Sequence, residues 1–376
     1  MQGYSMDQFA TPSGTQRYAK RFCDYKEFYA QHEGLLFSKL GLGTFVKEPY
    51  KEENYEFSFK DVIKSAIQSG INVIDTANNY RYGVSEKEVG EAVAELVDQK
   101  IIARDEVIIA SKGGFIPLCY PFPKNPYRWI EDNILHKGLA KPSDIELDQH
   151  CLSASYMEHS CKQSLKNMGI DCLDIYYIHN PEMQLMSLGY DKLLMRMQEI
   201  FAQCEKMRKQ GLIKSYGVAS WNGFLHPLDA QEHLGLQDLV ALAQNVGGDD
   251  HGFKYIQTPF NLAKVQALTL QNQDLSGVKM NLFQAASKLG IAVVGSCSLL
   301  QMNLFQKPFK PEVGYLLDKQ MKLTSDVQLA LQFVRSTPGV LTSLFSTTRV
   351  ENLEHNMQIA QVKAIKKSEY DLLFRL

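Results

Sequence analysis

The chain has 376 residues, of which 45% are hydrophobic and 22% are charged, a composition typical of a globular protein with one large domain or two small ones. A formal net charge of −2 gives no overall attraction for nucleic acid or an anionic membrane, so we expect neither as a partner. The seven cysteines are scattered and include no CxxC pair for a zinc site or redox motif, so we expect no metal. No export signal opens the chain and no apolar run approaches the roughly 20 residues of a membrane helix, which predicts a protein of the reducing cytoplasm.

Short apolar segments rich in β-branched residues alternate along the chain with longer amphipathic segments. The predicted strands are residues 35–45, 71–77, 106–114, 172–180, 213–220, 255–261, 291–300 and 340–348. Most are continuously apolar, which is typical of strands covered on both faces. Eight strand–helix pairs predict an α/β fold of the (β/α)8 TIM-barrel type.

Helix signals support this alternation. Residues 58–70 carry apolar side chains at helical spacing and end at Gly70. The next helix begins at Ser85, with Glu88 three positions later in a capping-box pattern, and a later helix ends at Gly169.

The domain prediction is an N-terminal extension, residues 1–34, packed on a single barrel domain, residues 35–376. Two segments, 115–148 and 301–322, are longer than ordinary connections and follow strands 3 and 7, so both belong at the carboxyl end of the barrel. They are either functional lids or lineage-specific additions. In the first segment we expect the aromatic residues to form an apolar pocket wall; they are Tyr120, Phe122, Tyr127 and Trp129.

Ionisable residues stand at the ends of three neighbouring predicted strands. Asp75 ends strand 2 with Tyr80 just beyond it, Lys112 follows "VIIAS" in strand 3, and His179 follows "DIYYI" in strand 4. Each alone has a structural explanation, such as a turn cap, a packing ring, a solvent-reaching amine or a buried histidine. Together they form a chemical set, because a tyrosine needs a nearby cation to act as an acid at neutral pH, and that cation needs an anion.

Such a set suits the reduction of a carbonyl group, in which Tyr80 protonates the oxygen while a hydride reaches the carbon. The hydride must come from a cofactor, and nicotinamide is the natural donor. No GxGxxG motif follows any strand, so the nucleotide must bind in another way. Strand 8 runs into "STTRVENLEHN", residues 346–356, where hydroxyls, Arg349 and a helix N-terminus could hold phosphate; a plain helix cap is the structural alternative.

At this point the sequence resembles the aldo-keto reductases, TIM barrels that use NADPH or, less often, NADH. "DTANNYRYGVSEKEVGEA" is similar to the family's "DTA…YG…SE…G" signature, and "SKGGF" and "DIYYIHNPE" carry its lysine and histidine. The resemblance covers roughly residues 35–361. It implies that Asp75, Tyr80, Lys112 and His179 are catalytic.

The same resemblance implies a set of cofactor contacts. "GLGTF" matches the first-strand turn near the nicotinamide ribose, "GVASW" and "YIQTPFN" match the carboxamide clamp, "VVGSCSLL" follows strand 7, and "STTRVENLEHN" matches the adenosine-phosphate segment. The implied residues are Gly43, Thr44, Asp75, Ser220, Gln257, Ser296, Leu299, Thr347, Arg349 and Asn356.

Three departures from the family pattern concern the cofactor. Ser296 stands where many members stack an aromatic ring on the nicotinamide, Ala219 replaces the serine of the clamp, and Ser346 replaces a phosphate-binding lysine found in some members. Arg349 favours NADPH, with NADH possible.

We therefore expect an NADPH-dependent reductase acting on a small-molecule carbonyl or sugar substrate. One alternative is a dehydrogenase that runs the reaction backwards on a sugar or other alcohol with NAD. Another is a nucleotide-binding regulatory subunit with little turnover, which the complete set of four residues opposes. The sequence leaves the oligomeric state and the physiological substrate open.

Overall fold

The computed structural model describes residues 9–47, 51–119, 121–147, 149–306 and 323–374. The strands in these residues are β1 (Tyr29–His32), β2 (Leu35–Ser38), β3 (Leu40–Gly43), β4 (Val73–Asp75), β5 (Ile108–Gly113), β6 (Ile145–Glu146), β7 (His150–Cys151), β8 (Leu173–His179), β9 (Ile213–Ala219), β10 (Phe253–Pro259), β11 (Gln273–Leu275), β12 (Val278–Met280), β13 (Ala292–Ser296) and β14 (Val340–Phe345). The helices are α1 (Pro12–Lys20), α2 (Lys60–Gln68), α3 (Val84–Asp98), α4 (Pro126–Ile130), α5 (Ala154–Met168), α6 (Leu185–Leu188), α7 (Tyr190–Lys209), α8 (Leu236–Gly247), α9 (Gln266–Thr269), α10 (Leu282–Lys288), α11 (Asp326–Ser336), α12 (Val350–Met357) and α13 (Lys367–Tyr370).

Eight of these strands form a closed parallel barrel in the order β3, β4, β5, β8, β9, β10, β13, β14, with β14 pairing back to β3. A helix follows each barrel strand, so the predicted TIM-barrel architecture is confirmed. Because all the strands run in one direction, their carboxyl ends meet at one face of the barrel.

The first predicted strand, residues 35–45, is wrong as a single element. It divides at Lys39, whose N–H donates to the Phe28 carbonyl at 2.7 Å while its own carbonyl accepts from Ser343 of β14 at 2.9 Å. Residues before the division form an antiparallel hairpin, β1 with β2, and residues after it enter the barrel as β3. The apolar run continues through the break, so its pattern could not reveal it.

Side-chain alternation separates the barrel interior into an apolar floor and a polar top. A buried cluster inside the barrel includes Val73, Ala110 and Tyr177. Two residues further along the same strands stand Asp75, Lys112 and His179, on the same inward face because side chains repeat every second residue. The strand period alone therefore points the three ionisable residues into the barrel mouth.

The N-terminal extension and the adjoining strand β2 close the opposite end of the barrel. Leu35 and Phe37 belong to the interior cluster, and the Phe37 ring lies 5.9 Å from that of Tyr255 in β10. Arg17 and Arg21 of the preceding segment pair with the buried Glu106 carboxylate at 2.7 and 2.6 Å. The β1–β2 hairpin joins the extension to the rest of the chain, and the division into an extension and one barrel domain stays a proposal.

Helix ends follow the sequence in part. Gly169 takes the left-handed conformation, φ 65°, and ends α5 as predicted. The predicted capping box at Ser85 is wrong, because α3 begins after Gly83 and Ser85 lies within the helix. The Ser85 hydroxyl donates to the Thr44 carbonyl at 3.2 Å. Glu88 instead accepts from the Phe59 N–H at 2.9 Å. The S-x-x-E pattern serves tertiary contacts here.

The first long segment is partly ordered into short elements, α4 and the β6–β7 hairpin. Of the second, residues 301–306 form a 3₁₀ turn and the rest lies outside the described residues. In the described part of the chain no helix is long and apolar enough to cross a membrane.

Asp174, near the start of β8, connects three parts of the fold. It is 1% exposed, and its carboxylate accepts from the N–H groups of Ala10 and Ile109, at 2.6 and 2.8 Å, and from Arg104 at 2.8 Å. We predict that Asp174→Ala lowers the free energy of unfolding by about 3 kcal/mol, because it leaves two buried amides without their acceptor and the Arg104 guanidinium without its carboxylate. Urea denaturation tests this, with the exposed Asp98→Ala as control, for which we expect a change below about 0.5 kcal/mol. Equal effects of the two substitutions would contradict the role assigned to Asp174.

Candidate active site

A cavity of about 650 Å³ opens at the carboxyl ends of the barrel strands. Asp75, Tyr80 and His179 line it, and residues at or near the ends of β9, β10 and β13 complete its inner wall. Lys112 is fully buried immediately behind this wall. The structure thus brings the four ionisable residues that were predicted to meet into one place.

Lys112 and Asp75 form an ion pair inside the barrel. The Lys112 ammonium donates to Asp75 Oδ1, to the Thr76 carbonyl at 2.8 Å and to the Tyr80 hydroxyl at 3.4 Å. Asp75 Oδ2 accepts from the Gln257 side-chain amide at 2.9 Å. With Asp75 4% exposed and Lys112 fully buried, both carboxylate oxygens and the ammonium have partners, as buried charges require.

The pKa values of Lys112 and Tyr80 follow from this enclosure. Burial by itself lowers the pKa of Lys112, but Asp75 and the Tyr80 hydroxyl outweigh it, so the pKa is raised and the amine stays charged. Burial raises the pKa of Tyr80, and the nearby Lys112 charge lowers it by less. Tyr80 therefore keeps its proton at neutral pH, while Lys112 offsets part of the cost of losing it.

His179 presents a neutral imidazole to the cavity. Burial, and after it the charge of Lys112, lowers the pKa of His179 well below its ordinary value. Its Nδ1 atom is buried and has no hydrogen-bond partner among the described residues, so the ring reaches the cavity through the edge that carries Nε2. The imidazole packs edge-to-face on Phe115, with ring centroids 4.9 Å apart, and lies 6.2 Å from the Tyr80 ring.

Tyr80 stands on a strained 3₁₀ turn that Arg81 holds in place. Arg81 and Tyr82 both adopt the left-handed conformation, with φ of 49° and 52°, which costs roughly 1–2 kcal/mol for each non-glycine residue. The fully buried Arg81 guanidinium pairs with Glu88 at 2.6 Å, donates to the Phe57 carbonyl at 2.8 Å and lies 4.7 Å from the Phe57 ring. These contacts offset the strain and fix the turn from outside the cavity.

Most of the predicted cofactor residues line the cavity. These are Gly43, Asp75, Ser220, Gln257, Ser296, Leu299 and Thr347. The structure does not bring the other three to the wall: the Thr44 hydroxyl turns to Thr76 at 2.9 Å, Arg349 is exposed at the start of α12, and Asn356 is buried in its last turn.

The aromatic wall predicted for the first long segment is wrong for three of its rings. Phe122 and Tyr127 are largely exposed, at 51% and 64%, Trp129 packs on the main core, and none of them lines the cavity. Tyr120 lies outside the described residues. Phe115, at the start of the segment, supplies the only ring that the described part of this segment gives to the wall.

Several further lining residues were missed, among them Phe45, Trp221, Cys297 and Asn352. Phe45, Trp221 and Cys297 each directly follow a residue that was predicted to contact the cofactor, so inspecting one more position would have found them. The described residues contain no group of three or more histidine, cysteine or acidic side chains that could hold a metal ion.

Comparison with known proteins agrees with this geometry. Residues 39–232, just over half of the chain, match the model of the Aldo/keto reductase family. The chain belongs to the aldo/keto reductase family. The family recognised from short motifs is therefore confirmed.

Individual relatives of this aldo/keto reductase are distant. It is 28% identical over 160 residues to D-threo-aldose 1-dehydrogenase from Pseudomonas sp., covering 42% of this chain and 43% of the relative. It is 29% identical over 194 residues to 7-acetyl-epi-neemfruitin B aldo-keto reductase from Melia azedarach, covering 50% and 47%. The chain thus spans about half the length of these curated relatives.

The fold is shared over nearly the whole chain with solved structures. An aldo-keto reductase from Klebsiella pneumoniae in complex with NADPH superimposes with a TM-score of 0.58 at 19% identity, covering 93% of this chain and 94% of that one. At this identity the likeness concerns the barrel alone.

The ion pair in this aldo/keto reductase can be tested as a unit. We predict that Lys112→Met lowers the free energy of unfolding by roughly 3 kcal/mol at pH 7, because the buried Asp75 carboxylate loses its cation. Adding Asp75→Asn should restore most of the loss, since asparagine still accepts from Gln257 and carries no charge. Urea denaturation of the single and double variants measures the coupling.

The pH dependence of this stability has a defined sign. Because folding raises the pKa of Lys112, its contribution is complete below the ordinary lysine pKa of about 10.4 and declines only as the pH rises through the raised value. The buried ion pair would be contradicted if the two substitutions had additive effects on the free energy of unfolding. It would also be contradicted if the coupling between them disappeared between pH 6 and 9.

Proposed function

We propose that this protein is an NADPH-dependent oxidoreductase that reduces an aldehyde or ketone to an alcohol, with Tyr80 as the general acid. The observation that carries the proposal is the enclosed Lys112 ammonium, 3.4 Å from the Tyr80 hydroxyl and paired with Asp75. A phenol that stays protonated beside a fixed cation is arranged to give up a proton when an oxygen in the cavity becomes basic.

In this mechanism the Tyr80 hydroxyl donates its proton to the carbonyl oxygen as the carbon accepts a hydride. The phenolate that remains lies beside the Lys112 charge, which stabilises it until a proton returns from solvent. Asp75 does not exchange protons in this scheme. It keeps Lys112 charged and directed at Tyr80.

His179 orients the substrate as a neutral donor. With its pKa well below the ordinary value, the imidazole has one N–H to donate, and the buried Nδ1 leaves Nε2 as the nitrogen facing the cavity. An N–H from Nε2 and the Tyr80 O–H would converge on one carbonyl oxygen, fixing its position and the face of the carbonyl that is exposed.

The cavity walls suit a dinucleotide. Ser220 and Gln257 line the part next to Asp75, and Ser346, Thr347 and Thr348 line the part at the start of α12, where backbone N–H groups and hydroxyls favour phosphate. When bound there, a reduced nicotinamide supplies the hydride. We assign Arg349, which is exposed beside Thr347, to the additional phosphate that distinguishes NADPH from NADH.

The substrate side of the cavity is aromatic. Phe45 and Phe115 line the mouth on either side of the Tyr80–His179 pair, and Trp221 adds a third ring. We therefore propose a carbonyl compound with an apolar or aromatic body as substrate.

We place the protein in the reducing cytoplasm, which its seven free thiols support.

A second candidate is the reverse reaction, oxidation of a sugar or other alcohol with NAD. The similarity to a D-threo-aldose 1-dehydrogenase favours it. Rates measured in both directions with both nucleotides decide between the two. A regulatory subunit without turnover is opposed by the Asp75–Lys112–Tyr80 arrangement, which nucleotide binding alone does not require.

Removal of the Tyr80 hydroxyl tests the acid. We expect Tyr80→Phe to reduce turnover at least about 100-fold, because general acid catalysis contributes roughly 10²–10⁴-fold, while nucleotide affinity changes less than about twofold. Steady-state kinetics on a panel of aldehydes and ketones gives turnover, and fluorescence titration gives affinity. The control is Tyr82→Phe, which removes a phenol oxygen from a tyrosine two positions along the chain that does not line the cavity. Full turnover by Tyr80→Phe across the panel would exclude the mechanism.

The nucleotide assignment has its own test. Arg349→Gln should weaken NADPH binding about tenfold and leave NADH binding within about twofold, because only NADPH carries the phosphate that Arg349 would contact. Titration calorimetry with each nucleotide measures both affinities, and the exposed Arg128→Gln in α4 serves as the charge-matched control. An equal effect on both nucleotides would remove Arg349 from the phosphate site.

A further inference from the structure

We propose that His150, a fully buried histidine of β7, is a positioning residue that sets the imidazole of His179; this inference rests on the function proposed above. His150 does not line the cavity and belongs to none of the motifs singled out in the sequence. It contacts His179 in two ways, through the backbone and through an intervening ring.

The backbone contact is a short hydrogen bond. His150 Nε2 lies 2.7 Å from the carbonyl oxygen of His179. A carbonyl can only accept, so Nε2 carries the hydrogen. The bond holds the peptide at the point where β8 ends and the chain turns into Asn180, which adopts the left-handed conformation with φ 49°. The bond therefore restrains the backbone that carries the His179 side chain.

The second contact passes through Phe115. The His150 ring packs edge-to-face on Phe115 with centroids 5.2 Å apart, and Phe115 packs in the same way on the His179 imidazole at 4.9 Å. Backbone pairing of Phe115 with His150 fixes the middle ring. Because the Nδ1 atom of His179 has no hydrogen-bond partner in the described part of the chain, this ring contact and the held backbone orient the imidazole.

A chain of side chains fixes the tautomer of His150. Arg196 donates to Gln184 Oε1 at 2.6 Å, which turns the Gln184 amide nitrogen towards His150 Nδ1 at 3.3 Å. Nδ1 therefore accepts, and Nε2 keeps its hydrogen for His179. Burial lowers the pKa of His150 to about 4, so the ring stays neutral and this arrangement persists at neutral pH.

The backbone at Gly114 packs closely against the hydrogen bond between His150 and the His179 carbonyl. A Cβ atom at Gly114 would lie 2.7 Å from the His179 carbonyl oxygen and 3.1 Å from His150 Nε2, and the residue has φ 139°. The hydrogen bond therefore sits directly against the backbone that follows Lys112, so His150 links the ends of the two strands that carry Lys112 and His179.

Three variants test the proposal. His150→Leu removes the donor, His150→Gln returns an N–H near the position of Nε2, and His233→Leu is the matched control. His233 is 8% exposed and its Nε2 also lies 2.7 Å from a backbone carbonyl, that of Asn272, but it is absent from the cavity wall.

We expect His150→Leu to lower kcat about 10- to 100-fold with KM and nucleotide affinity within about threefold, because a misplaced donor costs rate rather than binding. His150→Gln should recover kcat to within about threefold of the parent. His233→Leu should lower the thermal midpoint of unfolding by about as much as His150→Leu does. Its kcat should stay within about twofold of the parent value.

A second measurement does not depend on turnover. In protein labelled with ¹⁵N-histidine, without nucleotide, the His179 ring signals should shift in His150→Leu, return towards the parent in His150→Gln and stay unchanged in His233→Leu. If no carbonyl compound is reduced by the parent, the proposed function fails while these signals still judge the positioning role. Unchanged His179 signals in His150→Leu, or a kcat loss equal to that of His233→Leu, would overturn the proposal.

Discussion

The Lys112 ammonium has no contact with solvent, and its pairing with Asp75 is the interaction on which the candidate site depends. A buried cation without a partner costs several kcal/mol, so the two strands that carry the pair must keep one register. In that register Asp75 of β4 lies opposite Ala110 of β5, and Lys112 stands one inward position above Ala110. Tyr80 lies directly above the pair, so the pairing of two strands decides where the phenol meets its cation.

The apolar floor of the barrel makes this arrangement possible. Below the polar layer the interior is filled with aliphatic and aromatic side chains, and the Phe37 side chain from the N-terminal hairpin completes the filling. Lys112 is fully buried above this floor. The low dielectric that results strengthens every hydrogen bond at the mouth and makes an unpaired group there expensive.

Above the floor, the reactive side chains are held from outside the cavity. Arg81 holds the strained turn of Tyr80, and His150 holds the strand end of His179. Both supporting groups are buried, charged or polar, and fully absent from the cavity wall. The candidate site therefore consists of side chains that line the cavity, each backed by a buried polar side chain outside it.

Much of this was readable from the sequence because strand period and strand order are local patterns. Eight apolar segments indicated the barrel, and Asp75, Lys112 and His179 were predicted to meet because each ends a strand of a parallel sheet. The short motifs around them were sufficient to identify the family. What the sequence determined by itself was thus the architecture, the family and the set of four ionisable residues.

Only the tertiary structure decided the rest, since the deciding contacts join residues far apart in the chain. The division at Lys39 depends on carbonyl and amide partners in other strands, and Glu88 serves Arg81 and Phe59 rather than a helix cap. Of the aromatic residues predicted as a pocket wall, Phe122, Tyr127 and Trp129 lie away from the cavity, in or next to the short α4 and its connections. His150 contacts His179 through a hydrogen bond to a backbone carbonyl 29 residues away and through the intervening Phe115 ring, and no local pattern encodes these contacts.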